Sequence, residues 1–168
     1  AILQASPEAT AVVNDLPEVL DVARRKTSEH EVDLRCEFRS GDFHHVDLET
    51  GHYDLVILGH ICRTEGETGA RHLIERAFTA LKPEGSVLLA DYFIDIERKF
   101  NPHGVLMGMA MMTSTVNGFP ISNQIVAAWL REAGFEAIRL LEPIGFQFLY
   151  VATKPRRPRR VIQEDPYE

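Results

Sequence analysis

Apolar and polar positions follow two periods along this chain, and the switches between them mark out its elements. Residues 9–14 form a short apolar stretch closed by Asp15, the pattern of a strand. Pro17 then opens a helix in which Val19, Leu20, Val22 and Ala23 recur at helical spacing; the fixed φ of proline suits the first turn. Residues 34–39 alternate and stop at Gly41-Asp42. Residues 53–58 form the continuous run expected of a strand buried on both faces. Residues 68–81 return to helical spacing through Ala70, Leu73, Ile74, Ala77 and Leu81, and end at Lys82-Pro83-Glu84-Gly85. A second buried strand is predicted over residues 86–92, and a Met-rich helix over residues 102–115. Ser122 is placed to cap a helix that runs to Ala133, with Gly134 as its stop. Residues 136–141 and 147–153 are two last strands, close enough to pair antiparallel.

Strand–helix–strand alternation with short polar connectors predicts an α/β fold. The sheet is doubly wound and mostly parallel, with helices on both faces. No repeat or low-complexity linker interrupts residues 1–154, read as one domain; residues 155–168 read as a mobile Pro-rich tail. That tail carries the one basic cluster, Arg156, Arg157, Arg159 and Arg160, which reads as a solvated tail or as an arm that docks a partner.

Composition narrows the function classes. The chain has 168 residues, 45% hydrophobic and 26% charged, an ordinary globular balance. Its net charge of -7 lacks the basic footprint of a nucleic-acid binder. The longest apolar runs are far too short to span a bilayer, and no signal-peptide pattern is present, so no membrane partner is expected. Cys36 and Cys62 supply neither a disulfide framework nor a zinc site, and fit a reducing, cytoplasmic compartment. His44, His45, Asp47 and His52 are close in sequence, but adjacent residues of a strand point oppositely and no cysteine is near; no metal is expected. Patterns for a nucleophile elbow, an HExxH zinc site or a P-loop are absent.

In sheets of this class ligands bind beyond the carboxyl ends of the strands. The residues there are Asp15-Leu16 after the first strand and Gly41-Asp42-Phe43 after the second; Gly59-His60-Ile61-Cys62-Arg63 and Asp91 to Asp95 follow the next two. An acidic residue such as Asp15 suits a ribose diol. A carboxylate beside an aromatic face, as in Asp42-Phe43, suits an amino-purine. Each signal alone also fits a turn or cap, and the ribose reading suits a nicotinamide dehydrogenase as well.

Taken in order, these stretches resemble the catalytic part of the S-adenosylmethionine-dependent O-methyltransferases of the plant caffeate and bacterial polyketide type. The matching stretches are Pro7-Glu8-Ala9-Thr10 running into Asp15-Leu16-Pro17-Glu18-Val19; Ser40-Gly41-Asp42-Phe43; Tyr53-Asp54-Leu55-Val56-Ile57-Leu58; Ala80-Leu81-Lys82-Pro83-Glu84-Gly85; and Leu130-Arg131-Glu132-Ala133-Gly134-Phe135. The resemblance implies a Rossmann-like sheet with an antiparallel last strand, S-adenosylmethionine as cofactor, S-adenosylhomocysteine as product, and a small-molecule acceptor, aromatic or polyketide-like. It implies that Asp15 and Leu16 hold the ribose, Asp42 and Phe43 the adenine, and that His60 lies near the methionine part. Met109 and Met112, with Met107 and Met111, line an acceptor pocket on this reading, or else fill core.

The chain departs from the family in two places. The resemblance implies a strand and a glycine-rich loop ahead of residue 1, and an N-terminal dimerisation domain; a piece of a longer, homodimeric protein is therefore expected. The family also places its catalytic His nine residues after the Asp that starts this strand. Counted from Asp54, that position is Arg63. Arginine stays protonated and cannot act as a base. Of the two carboxylates that flank the family's His, Asp91 keeps one place and Pro120 takes the other. Arg63 then binds a carboxylate or stabilises a phenolate or enolate, which opens carbon as a target, or it pairs structurally with Asp91. His103 is the candidate replacement base. The alternatives are a homologue that binds cofactor without transferring methyl, and a non-enzymatic interaction module.

Overall fold

A computed structural model describes residues 1–95 and 101–156. Most of the basic tail cluster, and with it the expectation of a mobile tail, lies outside the described residues. The chain divides into two compact units, Ala1–Leu48 and Glu49–Glu168.

The first unit holds α1 (Ile2–Ala5), β1 (Ala11–Asp15), α2 (Pro17–Glu29) and β2 (Cys36–Ser40). β1 and β2 pair in parallel, from Ala11 opposite Cys36 to Asp15 opposite Ser40. Parallel neighbours need a crossover, and α2 supplies it. Leu20 of α2 and Val32 after it are the buried apolar side chains of this unit. The Arg35 guanidinium gathers the entry segment by donating to the carbonyls of Leu3 at 2.7 Å, Ser6 at 2.9 Å, and Pro7 and Ala9 at 3.0 Å.

The second unit holds β3 (Tyr53–Gly59), α3 (Gly66–Ala80), β4 (Leu81–Asp91), α4 (Pro102–Ser114), α5 (Asn123–Glu132), β5 (Glu136–Leu140) and β6 (Phe148–Thr153). Its strand order is β3-β4-β6-β5. β3 and β4 run parallel, and β6 lies antiparallel between β4 and β5. This is the mostly parallel sheet with an antiparallel last strand that the sequence predicts. Ser122 caps α5 as expected, its hydroxyl accepting from Ile125 N at 3.3 Å.

β4 begins earlier than predicted. The Lys82–Gly85 turn signal is absorbed into the strand as an irregularity, with Glu84 at φ 68°. Glu84 N donates to Lys154 O at 2.9 Å, and Lys154 N to Gly85 O at 2.8 Å. The core of this unit packs Ala70, Ile74 and Ala77 of α3 and Val126, Trp129 and Leu130 of α5 against Val87, Leu89, Tyr150 and Ala152 of the sheet. Burying each large apolar side chain contributes about 1.5–3 kcal/mol.

The expectation that β3 is buried on both faces is corrected. Val56 and Leu58 pack against the core, whereas Leu55 and Ile57 are 40% and 48% exposed. The helices that pack this core, α3 and α5, meet the Val56 and Leu58 side of the strand. No helix among the described residues is long and apolar enough to cross a membrane.

Candidate active site

The carboxyl ends of β3 and β4 bring three polar side chains together. Asp91 is the last residue of β4. Arg63 sits in a 3-10 turn, Cys62–Thr64, between β3 and α3. Arg63 Nη1 donates to Asp91 Oδ1, with side chains only 11% and 3% exposed. His60 joins them: its Nδ1 lies 3.2 Å from Arg63 Nη1 and 3.7 Å from Asp91 Oδ1. Asp91 Oδ1 also accepts from Tyr92 N at 2.8 Å. Among the described residues, Arg63 Nε and Asp91 Oδ2 are buried without a hydrogen-bond partner.

His60 is held in an unusual backbone conformation, φ 57°, and its N–H donates to Ala90 O at 2.8 Å. Histidine adopts this left-handed region more readily than most residues, yet it is uncommon. Cys62, between His60 and Arg63, points into the core; burial pushes its thiol up to about 12. It is a packing residue, not a nucleophile.

A row of rings continues from this cluster. The Arg63 guanidinium lies 5.1 Å from the Tyr92 ring centroid, and His60 lies 5.0 Å from the same ring. Tyr92 is 6.1 Å from His103, and His103 stacks on Phe146 at 4.4 Å with 7° between planes. His103 therefore meets aromatic rings. Among the described residues it has no carboxylate partner of the kind that orients a general base.

Asn101 ties these segments together. Its Nδ2 donates to Phe93 O at 2.9 Å and Phe146 O at 3.0 Å, while Oδ1 accepts from Gly104 N at 3.0 Å and caps α4. All its side-chain hydrogen-bonding groups are used, and it is 2% exposed. Sequence reading places Asn101 before Pro102 at a helix start, but the contacts to Phe93 and Phe146 carry no local signal; Tyr92 and Phe146 were missed for the same reason. α4 comes close because it presents glycines inward. A Cβ on Gly104 would stand 2.8 Å from Phe93 O, and one on Gly108 would stand 2.4 Å from Pro120 Cβ. Pro120 thus serves as the surface on which α4 rests. Met109 and Met112 lie on the exposed side of this helix with Leu106, 58% and 60% exposed. They are not core filling.

In the first unit, Asp15 ends β1 with its carboxylate accepting from Leu16 N at 2.8 Å, and Leu16 is exposed. Asn14 Nδ2 donates to Arg39 O at 2.9 Å and Gly41 O at 3.1 Å, which holds the ends of β1 and β2 together. Gly41 N donates to Asp15 O at 3.1 Å. Asp42 accepts from His44 N at 2.8 Å, and that bond holds its carboxyl below the usual range. Phe43 follows, partly buried, its ring 4.5 Å from that of His44.

Known proteins match this chain in sequence and in fold. The O-methyltransferase domain family matches residues 1–136. The chain belongs to that family. The tetracenomycin polyketide synthesis 8-O-methyl transferase TcmO of Streptomyces glaucescens is 30% identical over 153 residues, 91% of this chain and 44% of that protein. Acetylserotonin O-methyltransferase of Bos taurus is 29% identical over 79% of this chain and 37% of its own length. Among solved structures, an O-methyltransferase family protein from Burkholderia thailandensis superposes with a TM-score of 0.81 at 25% identity, over 92% of this chain and 46% of that one. Human N-acetylserotonin methyltransferase in complex with SAM gives 0.76 at 25% identity, over 91% and 43%. The chain thus spans less than half the length of these O-methyltransferases. Their fold is Rossmann-like, which agrees with the α/β sheet described above.

Proposed function

We propose that this O-methyltransferase domain transfers methyl from S-adenosylmethionine to a small-molecule acceptor, an aromatic or polyketide-like hydroxyl. The observation that carries the reading is the Arg63–Asp91–His60 cluster. It stands at the carboxyl ends of β3 and β4, in a chain that matches the family over residues 1–136.

The residues of the first unit fit the cofactor's nucleoside. Asp15 presents a carboxylate at the exposed end of β1, suited to accept from a ribose diol. Asp42 stays ionised to accept from an amino group, and Phe43 offers a ring face for adenine. When bound, S-adenosylmethionine supplies an electrophilic methyl carbon and leaves as S-adenosylhomocysteine, while the acceptor loses one proton.

Arg63 binds the acceptor's developing or preformed negative charge, since a guanidinium only donates. A stabilised carbanion meets the same requirement, so carbon stands beside oxygen as a target. The acceptor rests along Tyr92, His103 and Phe146, with Met109 and Met112 as apolar contacts.

Calorimetric titration with S-adenosylhomocysteine, followed by labelled-methyl transfer to a panel of phenols and β-dicarbonyls, tests this. Micromolar binding that weakens about ten-fold or more in Asp15→Asn, together with transfer, supports the reading. Tight binding with no transfer across the panel favours a homologue that has kept the cofactor and lost the reaction. No binding by the folded protein refutes it.

A further inference from the structure

We propose that Arg63 converts His60 from a potential base into a fixed hydrogen-bond donor, so that the site takes an acceptor already ionised as a phenolate or enolate. This deepens the methyl-transfer reading and rests on it for the acceptor's identity, but not for the state of His60.

The argument begins with what each atom can do. Arg63 Nη1 lies 3.2 Å from His60 Nδ1. A guanidinium carries donors only, so Nδ1 must supply the lone pair. Neutral imidazole has one ring proton, which then sits on Nε2. The other tautomer would set two donors face to face. It would leave Asp91 Oδ1, at 3.7 Å, beyond hydrogen-bond reach as an alternative acceptor for that proton. Arg63 cannot turn away without cost, because it holds the Asp91 carboxylate in a place where neither side chain reaches much water.

The consequence falls on Nε2. Among the described residues no protein group engages it, and the His60 side chain is 38% exposed. A nitrogen that bears a proton cannot take one from a phenol. It can donate to an anionic oxygen, and a positive guanidinium lies beside it. The left-handed backbone at His60 keeps the ring over Tyr92, so donor, cation and ring face converge on one locus. That set suits a flat anion. Among the described residues, the charged and titratable groups facing His60 are Arg63, Asp91 and Tyr92.

Nitrogen NMR of the full chain labelled with 15N-histidine tests this without turnover. Spectra are taken at about pH 8.5, well above the ordinary histidine pKa. His60→Asn, which tolerates the same backbone conformation, assigns the signal. The expected result is a protonated Nε2 and an unprotonated Nδ1. The probe is 4-nitrophenolate, with 4-nitroanisole as the uncharged control. The phenolate is expected to shift the Nε2 proton and to bind about ten-fold tighter than the anisole, an advantage that His60→Asn removes.

An Nδ1-protonated or doubly protonated ring overturns the proposal, as does equal binding of the two probes. A shift produced by S-adenosylhomocysteine and not by the phenolate also overturns it, and assigns His60 to the cofactor's carboxylate. Failure of S-adenosylhomocysteine to bind sinks the methyl-transfer reading while leaving the tautomer result standing.

Discussion

Arg63 and Asp91 are 28 positions apart in the chain and meet through Nη1 and Oδ1, almost wholly withdrawn from water. A buried pair of this kind is costly to break on one side only, because the surviving charge is left uncompensated. Arg63→Met is expected to destabilise the fold by about 3–5 kcal/mol, and Asp91→Asn in the same background to recover much of that loss. Urea unfolding of the two single variants and the double variant measures the coupling. Simple additivity would show that the pair contributes nothing.

Asn101 holds the segment that carries His103 to the hairpin that carries Phe146. Asn101→Ala removes a helix cap and two further hydrogen bonds, for an expected loss of about 2–4 kcal/mol. Asn101→Asp keeps the cap but turns two donors into an acceptor facing two carbonyls, so it should be no milder than the alanine. Thermal melts of both variants decide this, and a silent aspartate would refute the clamp.

The exposed methionines and the buried glycine of α4 should behave oppositely. Met109→Ala and Met112→Ala are expected to change stability by no more than about 0.5 kcal/mol while raising the acceptor KM and leaving S-adenosylhomocysteine affinity unchanged. Gly108→Ala forces a Cβ against Pro120 and should cost about 1–3 kcal/mol. Steady-state kinetics beside denaturant melts separate the two effects.

Cys62 predicts a specific alkaline slope. Burial raises its thiol from 9.0 to about 12, so the folded chain keeps a proton that the unfolded chain releases. Its contribution is full below pH 9.0 and is lost as pH climbs toward about 12. Cys62→Ala should flatten that part of the stability curve. With a thiol reagent at neutral pH, Cys36 should react in the native protein and Cys62 only on unfolding.

The element order was legible because local periodicity is a local property. The alternation in residues 34–39, the helical spacing through Ala70, Ile74 and Ala77, and Ser122 as a cap each need only a few neighbours to act. The site was half legible. Arg63 and Asp91 could be singled out by their places after two strands, but whether they meet depends on the β3–β4 register, which aligns Gly59 with Ala90 and so brings the two strand ends level.

By itself, then, the sequence determined the alternating elements, the α/β class and the residues that end each strand, since these follow from side-chain period, caps and turn chemistry within short windows. Only the tertiary structure decided that β3 buries one face, that Pro120 is a rest for Gly108, that Asn101 reaches Phe146, and that Arg63 Nη1 comes within 3.2 Å of His60 Nδ1. Asn101 and Phe146 are 45 positions apart, and even the shorter spans from Gly108 to Pro120 and from His60 to Arg63 are closed by backbone packing that side-chain period does not encode.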